Sequence, residues 1–157
     1  MRIGVISDTH GTLPALAKKA LEGCDHIIHA GDICSSSVLY GLEEIAPLTA
    51  VLGNCDYNDF GPSVGFSATP VIDGVRFIIT HRPEDLGFVD PTRFDVAVYG
   101  HTHHEVVMRK HGVLMVNPGS PTRPRGKVGP SVAIIETDNG QVKSATIVPL
   151  LEMAEKA

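Results

Sequence analysis

Seven side chains able to bind metal fall at equivalent places in this 157-residue sequence: Asp8, His10, Asp32, Asn54, His81, His101 and His103. All of them follow directly on apolar runs, which read VISDTH, IHAGD, VLGNCD, IITH and VYGHTH. Two carboxylates, an amide and four imidazoles offer nitrogen and oxygen without thiolate. That donor set suits Mn, Fe, Zn or Ni rather than a structural zinc site. A single pair such as Asp8-x-His10 is more often a polar turn than a ligand set. Recurrence at five apolar runs is what points to metal, because so many polar groups are costly to gather without cations. Seven donors exceed one tetrahedral ion. They fit two ions about 3.5–4 Å apart that share a bridge. Asp32 is the candidate bridge, since a carboxylate has two oxygens to divide.

A charge count then indicates the substrate. Two divalent ions, less Asp8, Asp32 and a bridging hydroxide, leave a local charge of about +1, because bound ions set the local field. A cationic cluster holding a hydroxide is suited to a phosphate ester. The ions would acidify water, orient phosphoryl oxygens and stabilise an in-line displacement.

The elements that must position these groups are legible as periodic patterns. Residues 3–6, 26–30, 48–52 and 95–99 read as short buried strands. Residues 71–79 read as a hairpin around Asp73-Gly74 whose second strand runs into Thr80-His81. Gly before Asp32, Asn54 and His101 lets the chain turn sharply and lets strand ends approach. A helix is expected after His10, with Thr12 as N-cap, Pro14 in the first turn and Gly23 at its close. Ser35-Ser36-Ser37 caps a second helix, which Pro47 stops. Residues 57–69 read as loop, and residues 82–93 as mostly irregular with at most a short helical turn. Two further hairpins follow, across His111-Gly112 and Asp138-Asn139-Gly140, and residues 153–157 read as a tail. The early β-α-β-α-β order implies parallel pairing and the later hairpins antiparallel pairing. One mixed sheet follows, or two packed face to face. In open α/β sheets ligands bind beyond the carboxyl ends of strands, where the seven donors lie.

With these motifs in order, the sequence resembles the calcineurin-like metallophosphoesterase superfamily. The matched residues are Asp8-x-His10, Gly31-Asp32, Gly53-Asn54-x-Asp56, His81 and Gly100-His101-x-His103. The small size, Gly53-Asn54-Cys55-Asp56 and Asn117-Pro118-Gly119-Ser120 resemble its compact YfcE-type phosphodiesterase branch. The resemblance implies a four-layer α/β/β/α sandwich of two mixed sheets. It implies one metal on Asp8, His10, Asp32 and His103, and a second on Asp32, Asn54, His81 and His101. Mn²⁺ is the first expectation for both ions, with Fe, Zn or Ni as alternatives. Asp32, Asn54 and Asp56 are the expected catalytic group, with Asp56 orienting groups near the ions. The activity implied is phosphodiester hydrolysis of a small substrate by a metal-bridging hydroxide. The alternative is a catalytically weak interaction scaffold of the same fold, like the retromer subunit. Two departures matter. Cys55 stands where larger relatives carry a His that protonates the leaving group, so solvent would supply that proton. His81 is followed by Arg82-Pro83 rather than Gly-His, which makes Arg82 either a contact to a substrate phosphate or a solvated loop charge.

Composition bounds the rest. At 43% apolar residues and this length, one domain over residues 1–157 is expected. A net charge of −5 speaks against a general nucleic-acid surface. Three cysteines without Cys-x-x-Cys spacing speak against a disulfide framework and point to a reducing cytoplasm. No apolar stretch is long enough for a membrane span and no signal peptide is visible. A homodimer is implied only by the resemblance. His26 and His29 read as packed, hydrogen-bonded core residues, His104 and His111 as surface residues, and Cys24 and Cys34 as small buried hydrophobes. Arg123, Arg125 and Lys127 form a basic loop, either a solvated turn or a rim that steers phosphate. Asn117 and Ser120 shape the turn before it.

Overall fold

In the computed structural model, which describes residues 1–57 and 60–156, the opening run becomes β1 (Arg2–Ile6), with four of its five residues buried. The chain continues through α1 (Ala15–Leu21), β2 (His26–His29), α2 (Ser36–Glu43) and β3 (Leu48–Ala50). Then come β4 (Ser67–Ala68), β5 (Val71–Ile72), β6 (Val75–Thr80), a 3₁₀ turn (Pro83–Asp85) and β7 (Val96–Val98). The hairpin β8 (Glu105–Lys110) and β9 (Val113–Pro118), the hairpin β10 (Ser131–Asp138) and β11 (Gln141–Pro149), and α3 (Leu150–Lys156) complete it.

Both sheets are mixed. The first runs β11-β10-β1-β2-β3, with β1, β2 and β3 parallel and β10 antiparallel to β1. The second runs β4-β6-β7-β9-β8, with β6, β7 and β9 parallel and β5 paired to β6. The register aligns Ile6 with His29, and Ile79 with Val98 and Val116 through the shared strand β7. Strands in such register end together, so the residues that follow them emerge on one rim of each sheet.

The period of two along β1 decides the layers. Ile3 and Val5 face the second sheet and pack in a core with Ile28, Val75, Phe77, Ile79, Val98 and Val116. Ile6 faces the other way, against α1, α2 and α3, with Leu21, Ile27, Leu39 and Leu42. Gly4 also faces the helices, where an added Cβ would sit 2.5 Å from Leu21 Cδ2. Truncating Phe77, which is fully buried between the sheets, to Ala would cost about 3–5 kcal/mol. The outer face of the second sheet is covered thinly, by Leu86, Val89 and Phe94 from the segment that begins with the 3₁₀ turn. The fourth layer is therefore one short turn and a loop.

Three local features differ from expectation. Thr12 does not cap α1: the N-cap is Pro14, with φ −62° and ψ 147°, and it makes no side-chain cap bond. Thr12 instead closes a turn, its N–H donating to Thr9 O at 3.3 Å. Ser35 does cap α2, accepting from Ser37 N at 3.3 Å. Within the polar stretch 57–69, Ser67 and Ala68 form β4 because Thr80 and Ile79 offer an open edge. The expected tail is helical, since Leu150 and Met153, three residues apart, seat one face of α3 in the helical core.

Candidate metal centre

The loops after β1, β2, β3, β6 and β7 meet above the parallel strands. Backbone hydrogen bonds join them: Asp8 N to Gly31 O at 2.9 Å, His10 N to Asp32 O at 3.0 Å, and Gly100 N to His81 O at 2.9 Å. The donors for metal emerge from these junctions. His103 Nε2 lies 3.2 Å from Asp8 Oδ1, and His81 Nε2 lies 3.3 Å from Asp32 Oδ2. His10 Nε2 is 3.4 Å from His103 Nε2, 3.7 Å from Asp32 Oδ2 and 3.9 Å from Asp8 Oδ1. His101 Nδ1 is 3.0 Å from Asn54 Oδ1, and the His81 and His101 ring centroids are 5.2 Å apart. All seven predicted donors thus converge, in one group of Asp8, His10 and His103 and another of His81, Asn54 and His101. Asp32 contacts both groups, and Asp8 Oδ1 also reaches His81 Nε2 at 3.8 Å.

The two carboxylates are prepared alike. Asp8 Oδ2 accepts from Ser7 Oγ at 2.6 Å and His101 N at 3.0 Å, which leaves Oδ1 toward the imidazoles. Asp32 Oδ1 accepts from Cys55 N at 2.8 Å, which leaves Oδ2 toward them. The imidazoles are prepared in the opposite sense. His81 Nδ1 donates to Ala30 O at 2.8 Å and His103 Nδ1 to Arg123 O at 2.6 Å. With Nδ1 carrying the proton, Nε2 presents a lone pair to the carboxylates. Asp8 Oδ1 and His81 Nε2 are buried and have no hydrogen-bond partner. Lone pairs facing lone pairs in a buried space call for a cation. The nitrogen and oxygen donor set is that of a divalent transition ion, so the residues fit the metals expected here.

Electrostatics agree with this arrangement. Burial raises the Asp8 carboxyl above its ordinary value. Burial also pushes Asp32 up, but the adjacent His81 and His10 imidazoles and the hydrogen bond from Cys55 N outweigh it and hold Asp32 low. Burial disfavours charge on His81, yet its contacts with the Asp32 and Asp8 carboxylates prevail and raise its pKa. His10 is lowered by burial.

The backbone is strained where it presents the donors. Asp8, His10, Asp32, His101 and His103 have φ of 56°, 49°, 57°, 72° and 60°, a region that residues with a Cβ rarely adopt. Of the three expected glycines, only Gly31 has positive φ, at 102°. Gly53 and Gly100 act through close approach instead: an added Cβ would fall on Asp32 Oδ1 at the first and on Ser7 Oγ at the second.

Asp56 braces the site from below. Its carboxylate accepts from Gly53 N and Cys34 N at 2.8 Å and from Ile33 N at 3.2 Å, locking the loops after β2 and β3 together. Asn117 and Ser120 do more than shape a turn. Asn117 Nδ2 donates to Gly100 O at 3.1 Å, and Ser120 Oγ to Asp8 O at 2.8 Å. Thr122 Oγ1, donating to Thr9 O at 3.1 Å, and Ser7 were not singled out by sequence. Their partners lie on other strands or at an acid already assigned to metal, so spacing carries no signal for them. Cys34 is half-buried rather than a core residue, with Sγ 4.0 Å from His10 Nδ1 and its thiol pushed up to about 11 by burial and nearby carboxylates. Cys55 Sγ accepts from Asn54 Nδ2 at 3.5 Å, and burial raises its thiol too. His29 and His26 are hydrogen-bonded to Thr9 at 3.0 Å and Thr49 at 2.8 Å, as packed histidines. Arg82 is exposed beside a cleft of about 180 Å³ that Asn54 and His81 also line. A larger hollow of about 300 Å³ around Phe88, His111 and Met115 contains none of the seven donors.

Residues 1–140 match the family model of the calcineurin-like phosphoesterase superfamily domain, and the chain belongs to that family. It is 34% identical to a probable metallophosphoesterase of Methanothermobacter thermautotrophicus, over 94% of this chain and 92% of that one. It is 28% identical to the phosphodiesterase YfcE of Escherichia coli strain K12, over 88% and 89% of the two chains. Among solved structures, a novel archaeal phosphodiesterase superposes with a TM-score of 0.75 at 27% identity, covering 94% of this chain and all of that one. Vps29 of Entamoeba histolytica shares the fold, with a TM-score of 0.72 at 18% identity and coverage of 94% and 98%.

Proposed function

We propose that this chain is a binuclear metal-dependent phosphodiesterase, acting within a single domain on a small phosphate ester. Asp8, His10, Asp32 and His103 would hold one divalent ion, and Asp32, Asn54, His81 and His101 the other, with Mn²⁺ the first candidate for both. The observation that carries this reading is the division of labour in Asp8 and Asp32. Each gives one oxygen to neighbouring N–H or O–H donors and turns the other toward imidazole nitrogens. When bound, such an ion pair acidifies water, orients the phosphoryl oxygens and neutralises charge developing in an in-line displacement.

The protein's own groups do the rest. Asp56 fixes the loop that presents Asn54 and Cys55. The carbonyls of Ala30 and Arg123 hold His81 and His103 in the tautomer that leaves Nε2 free. Arg82, whose guanidinium makes no hydrogen bond or ion pair among the described residues, is available to a phosphoryl oxygen. Beside Asn54 stands Cys55, whose raised thiol is a weak acid, so the leaving oxygen takes its proton from solvent. Esters with good leaving groups are then favoured. Vps29 likeness concerns the fold alone, and the full donor set of this chain speaks for an enzyme rather than a scaffold. No helix among the described residues is long and apolar enough to cross a membrane.

The test is turnover. Metal-free protein given Mn²⁺ should hydrolyse bis(p-nitrophenyl) phosphate, and Asp32→Ala or Asn54→Ala should abolish the reaction. Bound metal without turnover, whichever divalent ion is supplied, would contradict the reading.

A further inference from the structure

The cleft that opens beside Asn54 and His81 has walls with a chemistry of their own. Leu52 and Phe66 line it, with Arg82 and Asp85. Phe66 is 73% exposed, so its ring is open to a bound group. Arg82 and Asp85 stand three residues apart, at the N-cap and the end of the 3₁₀ turn, and both line the cleft. They form no ion pair with each other, and among the described residues neither charged group has a hydrogen-bond or ion-pair partner. The cleft therefore combines an exposed ring face, an apolar wall, an unengaged donor and an unengaged acceptor.

We propose that this cleft binds the retained arm of the phosphodiester and selects a planar, nucleoside-like arm over an alkyl one. The inference rests on the phosphodiesterase reading and adds a substrate class to it. At about 180 Å³, the cleft holds the volume of about six waters, room for one ring system. Asp85 would repel a second phosphate, but it accepts an N–H from a heterocycle, while Arg82 serves a ring carbonyl or a phosphoryl oxygen. Stacking on Phe66 tolerates any planar base. With its proton drawn from solvent, the leaving arm is assigned to the open side of the site, and the walled cleft to the arm that stays on phosphorus. In the net reaction water adds to phosphorus, the P–O bond to the leaving group breaks, and the nucleoside monophosphate is released.

Two measurements test this on Mn²⁺-loaded protein. Thymidine 5′-(p-nitrophenyl phosphate) and methyl p-nitrophenyl phosphate share a leaving group and differ in the retained arm. The ratio of their kcat/KM values should favour the thymidine ester by about tenfold or more, and Phe66→Ala should remove most of that preference. Calorimetric titration with thymidine 5′-monophosphate and with methyl phosphate reads the cleft without turnover. The nucleotide should bind about tenfold tighter, with the gap closing in Phe66→Ala. Equal affinity for the two phosphates, or a gap that survives Phe66→Ala, overturns the cleft proposal. Hydrolysis of neither ester, with the affinity gap intact, overturns the phosphodiesterase reading and leaves the cleft assignment standing.

Discussion

The two ends of the parallel strands carry the same uncommon backbone conformation in different settings. At the far end, Asp73, His111 and Asn139 have φ of 50°, 52° and 46°, and each is followed by a glycine of φ 74° to 83°. Two successive positive φ values are the geometry of a tight hairpin, and Asp-Gly and Asn-Gly adopt it cheaply. At the near end, Asp8, His10, Asp32, Cys34, His101 and His103 also have positive φ, and only His10 is followed by a glycine. There the conformation is held by bonds between distant segments, such as Ser120 Oγ to Asp8 O and Asp56 to three loop amides. His10 aside, no following glycine encodes the conformation there, and strain held by its surroundings clusters at functional sites. The contrast separates turns that merely reverse the chain from loops that gather Asp, Asn and His side chains in one place.

Substitutions at matched positions would break that contrast if it is wrong. The largest expected effect is on activity. Asp32→Asn should lower kcat/KM by about 10³-fold or more, whereas Asp73→Asn at the far end should change it less than about twofold. Steady-state assays with an aryl phosphodiester decide this. Stability gives the next contrast. Gly100→Ala places a Cβ against Ser7 and Asp8 and should cost about 3 kcal/mol or more. Gly74→Ala meets only its neighbour turn and a φ of 74°, and should cost about 1–2 kcal/mol. Urea unfolding of the metal-free variants measures both.

Acidification sharpens the comparison. His29, fully buried beneath the near-end loops, has its pKa pushed down by burial to about 3. The unfolded chain binds that proton first, so this contribution is complete above about pH 6.5 and is lost as pH falls from there toward 3. His29 alone should cost the metal-free protein on the order of 3 kcal/mol between pH 7 and 4, read as the difference in pH slope between the parent and His29→Gln. At the far end, the Arg76 guanidinium holds Asp95 below its ordinary value. Its contribution is present above about pH 4 and disappears only at more acid pH. Asp95→Asn should lower the thermal midpoint slightly at neutral pH and not at all near pH 2. It is the smallest of the four effects.

This difference also explains what could be read from the sequence. The far-end turns were legible because Asp73-Gly74 and Asn139-Gly140 encode their own geometry. The meeting of the seven side chains was legible because each follows a buried run, and register brings such ends together. Local spacing does not tell that Thr12 closes a turn while Pro14 caps α1, nor that Ser67 and Ala68 find an edge on β6. The aim of each donor was likewise hidden. It depends on Ser7, Ser120 and Thr122, on carbonyls of Ala30 and Arg123, and on positive φ that, His10 aside, no following glycine encodes.

The central claim is that the near-end donors hold a pair of ions with Asp32 between them. Anomalous diffraction from a Mn²⁺-loaded crystal tests it most directly. Two peaks per chain, one among Asp8, His10 and His103 and the other among Asn54, His81 and His101, both contacting Asp32, are the predicted result. A single peak, or ions bound away from these side chains, would contradict the account.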